Sequence, residues 1–293
     1  MAETIKKVIL NNFKYHLVLI KFTLSITVVF SSVISYLLVP RVHFNWTAIL
    51  WLSIGGLFIT GAANALNQVY EKDTDKQMHR TANRPVASGK FSPEYAQIFA
   101  WVILLLGFLI FYFKFNHLSA FLSVFSFFIY VYVYTPLKKI NNLAVFVGGI
   151  PGALPCLIGW VAGNNTISIG GWVLFLLQFF WQFPHFWAIA WVAYNDYIKV
   201  GFKLLPSGGK PTKLTALQTI FYCLLMFPIG VLPYYYQMAG FTSMLIIVGC
   251  NILLLWLALR LFKTMQVKEA RYLMFGSYIY LPVVLFSLLF DKI

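Results

Sequence analysis

The chain is poor in charged residues, and above all in acidic ones. Asp, Glu, Lys and Arg make up only 10% of its 293 residues, and only eight residues are acidic. A soluble domain carries about a quarter charged residues, so the deficit excludes an ordinary soluble enzyme. Hydrophobic residues reach 60%. This composition is typical of a chain that lies mostly in lipid, where charge is costly.

Cysteine is also scarce. Cys156, Cys223 and Cys250 lie in apolar stretches without paired spacing, which excludes a disulfide framework and a cysteine metal site. The N-terminal segment has no cleavable-signal pattern. In such a chain the net charge of +14 indicates membrane orientation and gives no reason to expect a nucleic-acid partner.

What the sequence has in abundance is long apolar runs. Each is long enough to cross the bilayer, and the runs are continuously apolar, which favours helices over a barrel. We therefore predict an all-α polytopic membrane protein with nine transmembrane helices in a single intramembrane domain, residues 1–293. The predicted spans are 17–38, 46–66, 94–113, 117–135, 142–163, 170–194, 213–237, 240–262 and 272–290.

The positions of the basic residues predict the orientation. With the N-terminus in the cytoplasm, all but three of the 22 Lys and Arg fall on the cytoplasmic side, the exceptions being Arg41, Lys114 and Lys292. Basic residues accumulate on that side of membrane proteins. We therefore expect a multi-pass protein of the cell inner membrane whose N-terminus is cytoplasmic and whose C-terminus is outside.

Three of the eight acidic residues, Glu71, Asp73 and Asp75, cluster after the second predicted span. In a continuing helix Asn67, Glu71 and Asp75, spaced four residues apart, would form a stripe of oxygen atoms on one face, which Asn64, three residues before Asn67, would extend. Neighbouring carboxylates repel each other unless a cation lies between them, and Mg²⁺ prefers oxygen ligands that it shares with substrate phosphates. We predict a Mg²⁺ site here. The alternative is a solvated cytoplasmic loop whose acidic residues offset its basic ones.

A further acidic residue, Asp196, lies in the loop after the sixth predicted span. Our hypothesis is that Asp196 faces the first cluster across a cavity and helps to hold a second Mg²⁺. The alternative is an ordinary loop aspartate.

Several sequence blocks resemble a known family. Asn67-x-x-x-Glu71-x-x-x-Asp75 is similar to the first Asp-rich motif of the UbiA superfamily of intramembrane prenyltransferases, with Glu in place of the middle Asp. Blocks between residues 21 and 206 resemble the haem O synthase family within it. The most specific are Arg80-Thr-x-Asn-Arg84-Pro and Trp181-Gln-Phe-Pro-His185-Phe. Quinone-type members carry a second multi-Asp motif, of which only Asp196 remains here.

The resemblance implies a UbiA-type helix bundle with a cytoplasmic-facing active site. It implies transfer of a farnesyl group from farnesyl diphosphate to the 2-vinyl group of haem B with addition of water, which gives haem O and pyrophosphate for the biogenesis of haem–copper oxidases. Mg²⁺ is the implied cofactor, and haem A synthase or oxidase assembly proteins are the implied partners.

Loss of a diphosphate from an allylic carbon requires positive charge around the leaving group. Five basic residues in the matching blocks are therefore expected to contact the pyrophosphate or the haem propionates. They are Lys21, Arg80, Arg84, Lys138 and Lys139.

The sixth span contains a second polar stripe, formed by Gln178, Gln182 and His185. Polar side chains in an apolar helix should face the interior of the bundle. We predict that the stripe contacts haem, with His185 as a ligand of the iron. The alternative for His185 is a hydrogen bond to a neighbouring helix.

Two other functions fit parts of the sequence. One is a prenyltransferase that acts on a quinone or chlorin precursor, which the Pro184-His185-Phe186 block disfavours. The other is a secondary transporter. Transporters place ionisable groups near the middle of the bilayer, whereas these carboxylates lie at the end of a span.

Overall fold

The computed structural model describes residues 12–293, so residues 1–11, the greater part of the predicted cytoplasmic tail, lie outside it. The described chain is helical, apart from short connections and one isolated β-bridge. A π-helical stretch, Ile129–Tyr134, joins the sixth helix to the seventh. The helices are α1 Asn12–Leu19, α2 Phe22–Leu37, α3 Trp46–Tyr70, α4 Lys72–Gln77, α5 Pro93–Lys114, α6 His117–Phe128, α7 Thr135–Ile140, α8 Ala144–Asn164, α9 Ile169–Val192, α10 Tyr194–Lys199, α11 Pro206–Gly209, α12 Lys213–Tyr235, α13 Phe241–Thr264 and α14 Val267–Phe290.

Eight helical segments between residues 12 and 293 are long and apolar enough to cross a membrane, and α6 and α7 form one of them with the π-helical stretch. The pair α1 and α2, bent by 51°, adds a ninth if it crosses as one span. The prediction of a polytopic helical membrane protein is thus confirmed. The predicted span limits agree with the helices to within about five residues, the usual error of such predictions.

Two spans differ from the prediction in instructive ways. The first is broken at Lys21, whose backbone is left-handed (φ 48°, ψ 55°). The last begins at Val267, five residues early, and includes a buried carboxylate. This carboxylate, Glu269, is stable in the helix because Arg260 of α13 donates to it at 2.8 Å.

Helix α8 joins the two halves of the bundle. Its Leu157 and Val161 pack into a core with α3, α5 and α6, whereas its Cys156 and Trp160 pack into a second core with α9, α12, α13 and α14. Glycine makes part of this packing possible, because a Cβ at Gly159 would overlap the backbone of Ser32 in α2. Small residues allow such close contact between spanning helices.

The end of the bundle where α2 and α12 finish is fastened by residues 291–293, which we call the C-terminal clasp. Asp291 accepts a hydrogen bond from Ser243 N at the start of α13 (2.7 Å). Lys292 Nζ donates to the carbonyl oxygens of Leu37 and Val39 at 2.7 Å each. The clasp therefore ties α14 to both α13 and α2.

Candidate active site

The loops after α3 and α9 meet at the opposite end of the bundle. Arg80 Nη2 lies 3.3 Å from the hydroxyl oxygen of Tyr197. Lys203 N donates to the carbonyl oxygen of Lys138 at 2.8 Å. A pocket shared by these loops, which the predicted chemistry requires, is therefore compatible with the fold.

The acidic stripe lies at this end and is buried. Asn67 in α3, Glu71 after it and Asp75 in α4 are 1%, 6% and 0% exposed. Although α3 ends at Tyr70, the hydrogen bonds Glu71 N to Asn67 O and Asp75 N to Glu71 O continue the helical spacing. The three side chains therefore keep the common face that the sequence predicts.

Each member of the stripe contacts a cation from elsewhere in the chain. Lys21 Nζ donates to Asn67 Oδ1 at 2.8 Å, and Arg84 Nη1 donates to both carboxylate oxygens of Asp75 at 2.8 and 2.9 Å. The third cation is Lys138, whose Nζ lies 2.5 Å from Glu71 Oε1. We call these six residues the charge cluster. The contact of Lys138 with Glu71 is a buried ion pair.

Aromatic rings surround the Lys138 ammonium. It lies 4.8 Å from the ring centroid of Tyr134 and 5.4 Å from that of Phe202. The π-helical stretch contributes Tyr134, and the loop after α9 contributes Phe202. Ring faces stabilise a cation that has lost its water, so the rings favour burial of the Lys138 ammonium, whose residue is 6% exposed.

The charge cluster holds more basic groups than acidic ones. Lys21, Arg84 and Lys138 face only two carboxylates, and all five groups are close enough to interact electrostatically. A buried, unbalanced charge is costly unless a counter-ion joins it. Burial alone would raise the pKa of Glu71, yet the neighbouring cations, Lys138 first, hold that pKa below its usual value. The cluster therefore suits an anion.

The other predicted contacts of the diphosphate lie at the edge of the cluster. Arg80 is exposed and reaches Tyr197, and Lys139 is exposed beside the buried Lys138. Asp196 lies 3.5 Å from Lys199, one turn along α10. Within residues 12–293 no three His, Cys, Asp or Glu side chains form a metal-binding group, so Asp196 is not joined to Glu71 and Asp75 in one. Its role in a second metal site stays a prediction.

The donor atoms of the stripe fit Mg²⁺. An amide oxygen and two carboxylates, carried on one helical face, are the hard oxygen ligands that this ion prefers. Glu71 Oε1 is buried, and its close partner within the described chain is the ammonium of Lys138. A metal ion can take the place of that ammonium.

Two further amides lie beside the three central members of the stripe. Asn64 donates to the carbonyl oxygen of Ile20 at 3.2 Å, and Gln68 donates to those of Val18 and Leu19 at 3.1 and 2.9 Å. The sequence predicts Asn64 as an oxygen ligand, whereas its amide nitrogen binds the backbone here. Sequence reasoning missed Gln68, and the signal for it was a second amide one helical turn after Asn64.

The second polar stripe, on α9, is bound to α8. Gln178 Nε2 donates to Gly152 O at 2.7 Å, and Gln182 Nε2 donates to Gly149 O at 3.1 Å. A Cβ at Gly152 would overlap the amide of Gln182, so a larger residue at that position would have to displace this side chain. The prediction that the stripe faces the bundle interior agrees with this arrangement. The haem contact proposed for the two glutamines stays a prediction.

His185 also has a partner on a neighbouring helix. Its Nδ1 lies 2.8 Å from Ser277 Oγ in α14, and its ring stacks on Trp181 at 4.7 Å. Tyr278 meets the other side of the ring edge-on at 5.0 Å. These contacts fix the ring and leave Nε2 as the nitrogen that can face a ligand.

Comparisons with known proteins agree with the motifs. Residues 28–281 match the model of the UbiA prenyltransferase family. The chain is 42% identical over 283 residues to the protoheme IX farnesyltransferase of Cytophaga hutchinsonii, which covers 97% of this chain and 99% of the relative.

Solved structures share the fold. A digeranylgeranylglyceryl phosphate synthase superposes with a TM-score of 0.79 at 21% identity, over 96% of this chain and 98% of that one. A UbiA homologue from Archaeoglobus fulgidus, bound to GPP and Mg²⁺, gives a TM-score of 0.70 at 14% identity, over 94% and 99%. At these identities the likeness concerns the fold.

Proposed function

The chain belongs to the UbiA prenyltransferase family, and we propose that it transfers a farnesyl group from farnesyl diphosphate to the 2-vinyl group of haem B, which gives haem O and pyrophosphate. The structural observation that carries this proposal is the charge cluster. It combines a buried excess of basic over acidic groups with oxygen ligands where the loops after α3 and α9 meet. That combination suits a diphosphate held through both metal and basic side chains.

The cations of the cluster bind and stabilise the leaving group. Lys21, Arg84 and Lys138 exchange their present oxygen partners for diphosphate oxygens, and Asn67, Glu71 and Asp75 hold Mg²⁺. When bound, Mg²⁺ neutralises charge that develops on the departing pyrophosphate. The allylic C–O bond breaks, the vinyl π electrons form the new C–C bond, and water captures the resulting cation with loss of a proton.

The acceptor side of the site is formed by α9 and α14. His185, held by Ser277 and Trp181, turns its Nε2 toward the haem. Arg80, exposed beside Tyr197, is placed to contact a haem propionate. Lys139 stays outside the proposed site, because its side chain is exposed next to the buried Lys138.

The cellular setting follows from the basic residues. The charge cluster faces the cytoplasm of a cell inner membrane, the N-terminus is cytoplasmic, and the C-terminus is outside. Residues 1–293 form one domain. Haem A synthase or oxidase assembly proteins are the proposed partners, since haem O serves haem–copper oxidases.

The test is an assay with purified protein, haem B, farnesyl diphosphate and Mg²⁺, followed by mass analysis of the pigment. We expect a product heavier by one farnesyl group and one hydroxyl group, together with pyrophosphate, and neither product from Asp75→Ala. Transfer only to a quinone or chlorin precursor offered in place of haem B would refute the choice of acceptor. Transport of substrate without release of pyrophosphate would refute the enzyme class.

A further inference from the structure

The break between α1 and α2 places Lys21 in the charge cluster. Lys21 has a left-handed backbone, and the two helices meet there at 51°. A side chain with a Cβ adopts this conformation only at a cost, and such strain persists where the surroundings fix it. The contacts around the break are therefore informative about the position of the Lys21 ammonium.

Val18 O accepts from Lys21 N at 3.1 Å, but the break leaves the carbonyl oxygens of Leu19 and Ile20 without backbone donors in a buried place, since Leu19 is 0% exposed. Such groups need other donors. Gln68 Nε2 donates to the carbonyl oxygens of Val18 and Leu19, at 3.1 and 2.9 Å. Ile20 O accepts from Asn64 Nδ2 at 3.2 Å and from Ser25 Oγ at 2.7 Å.

Both amides belong to the helix that carries the acidic stripe. Asn64 and Gln68 lie one turn apart on α3, on either side of Asn67, which accepts from Lys21 Nζ at 2.8 Å. Helix α3 thus holds the backbone beside Lys21 and the end of its side chain at once. Gln68 is 0% exposed, and its Oε1 has no partner in the described chain, so its role here is that of a donor.

We propose that Gln68 is a positioning residue for prenyl transfer, supported by Asn64 and Ser25. It holds the broken helix in the conformation that directs the Lys21 ammonium at the diphosphate of the substrate. The proposal rests on the proposed function, in which Lys21 binds the leaving group. Gln68 itself does not contact the substrate.

The test is a double-mutant cycle. Gln68→Met keeps the length of the side chain and removes the donor, and Lys21→Met removes the cation. Pyrophosphate release gives the KM for farnesyl diphosphate and kcat for the wild type, both single variants and the double variant. A displacement of about 1 Å can cost on the order of a hundredfold, so we expect Gln68→Met to raise the KM by about tenfold to a hundredfold. In the Lys21→Met background it should change the KM by less than about twofold, because coupled residues are not additive.

A matched control separates positioning from folding. Asn251 on α13 is a buried amide that donates to the carbonyl oxygen of Met226 at 2.9 Å, far along the chain from the charge cluster. Asn251→Leu should lower thermal stability and leave the KM for farnesyl diphosphate unchanged. If Gln68→Met fails to fold, Ser25→Ala takes its place in the same double-mutant cycle with Lys21→Met. We expect it to raise the KM by a smaller factor, and only when Lys21 is present.

Each outcome is decisive. Equal effects of Gln68→Met with and without Lys21, or a loss of thermal stability with an unchanged KM, would overturn the positioning role. An unchanged KM in Lys21→Met would overturn it as well, because Gln68 would then have no diphosphate contact to position. An inactive wild-type protein would instead refute the proposed function.

Discussion

The two polar stripes of the bundle look alike in sequence and differ in structure. The stripe on α3 and α4 contacts ammonium and guanidinium groups from three other segments. The amides of the stripe on α9 contact backbone carbonyls of α8. A diphosphate or a metal ion can replace a side-chain cation, but a ligand gains little by displacing a glutamine from a backbone carbonyl. The partners of a polar side chain, rather than its presence in an apolar helix, thus separate binding groups from scaffold.

The largest effect that tests this difference is expected at Glu71. Glu71→Gln removes a buried charge that holds Lys138 and is proposed to hold Mg²⁺, so kcat for pyrophosphate release should fall by about 10²- to 10³-fold. The control is Asp73→Asn, because the Asp73 side chain in the same segment is 89% exposed and lies 3.9 Å from Lys76. Equal losses in the two variants would show that position on the stripe does not matter.

The next effect concerns neighbouring lysines. Lys138→Met removes a buried cation and should lower kcat/KM for farnesyl diphosphate by about tenfold to a hundredfold, as expected for a hydrogen bond to a charged group. Lys139→Met removes an exposed cation and should change it by less than about twofold. A larger loss at Lys139 would place the diphosphate outside the buried cluster.

The same lysine should control the pH dependence. Burial alone would raise the pKa of Glu71, but the neighbouring cations, Lys138 first, together hold that pKa below its usual value. The contribution of ionised Glu71 to kcat/KM is thus fully present above the ordinary carboxyl pKa, and it is lost only as the pH falls through the lowered pKa. In Lys138→Met burial should prevail and raise that pKa, so the acid limb of kcat/KM should move to higher pH. An unmoved limb would contradict the pairing of these residues.

The smallest kinetic effect is expected on the other stripe. Gln182→Met removes a hydrogen bond between helices and should lower the free energy of unfolding by about 1 kcal/mol. The KM for haem B should stay within about twofold. A raised KM at unchanged stability would show that Gln182 binds haem directly, as the sequence predicts, and would erase the difference between the stripes.

Sequence reasoning predicted the bundle well because length and apolarity nearly determine a spanning helix. It predicted the acidic stripe because a four-residue spacing survives the end of α3 at Tyr70. It did not predict the break at Lys21, since hydropathy does not register a left-handed residue inside an apolar run. The early start of α14 was missed for a related reason, because Glu269 looks unsuited to a span until its partner Arg260 is known.

The contacts of the polar side chains were harder to predict than the positions of these side chains on their helices. Nothing in the spacing joins Lys138 to Glu71, because the contact depends on the π-helical stretch that sets the direction of α7. The contacts of Gln178 and Gln182 with α8 could not be predicted either. They depend on the glycines of α8, and the sequence does not show which side chains pack against these glycines. Local periodicity predicts which residues share one face of a helix, but only the packing of the bundle shows which residues contact that face.

The C-terminal clasp has a consequence for how a large, flat substrate enters. Lys292 and Asp291 fasten three helices through backbone atoms at one end, so helices cannot separate there without losing several bonds at once. At the other end the segments are held by side-chain ions that can change partners. The two ends of the bundle are therefore held in different ways. We expect a porphyrin to enter between the helices at the end that carries the charge cluster.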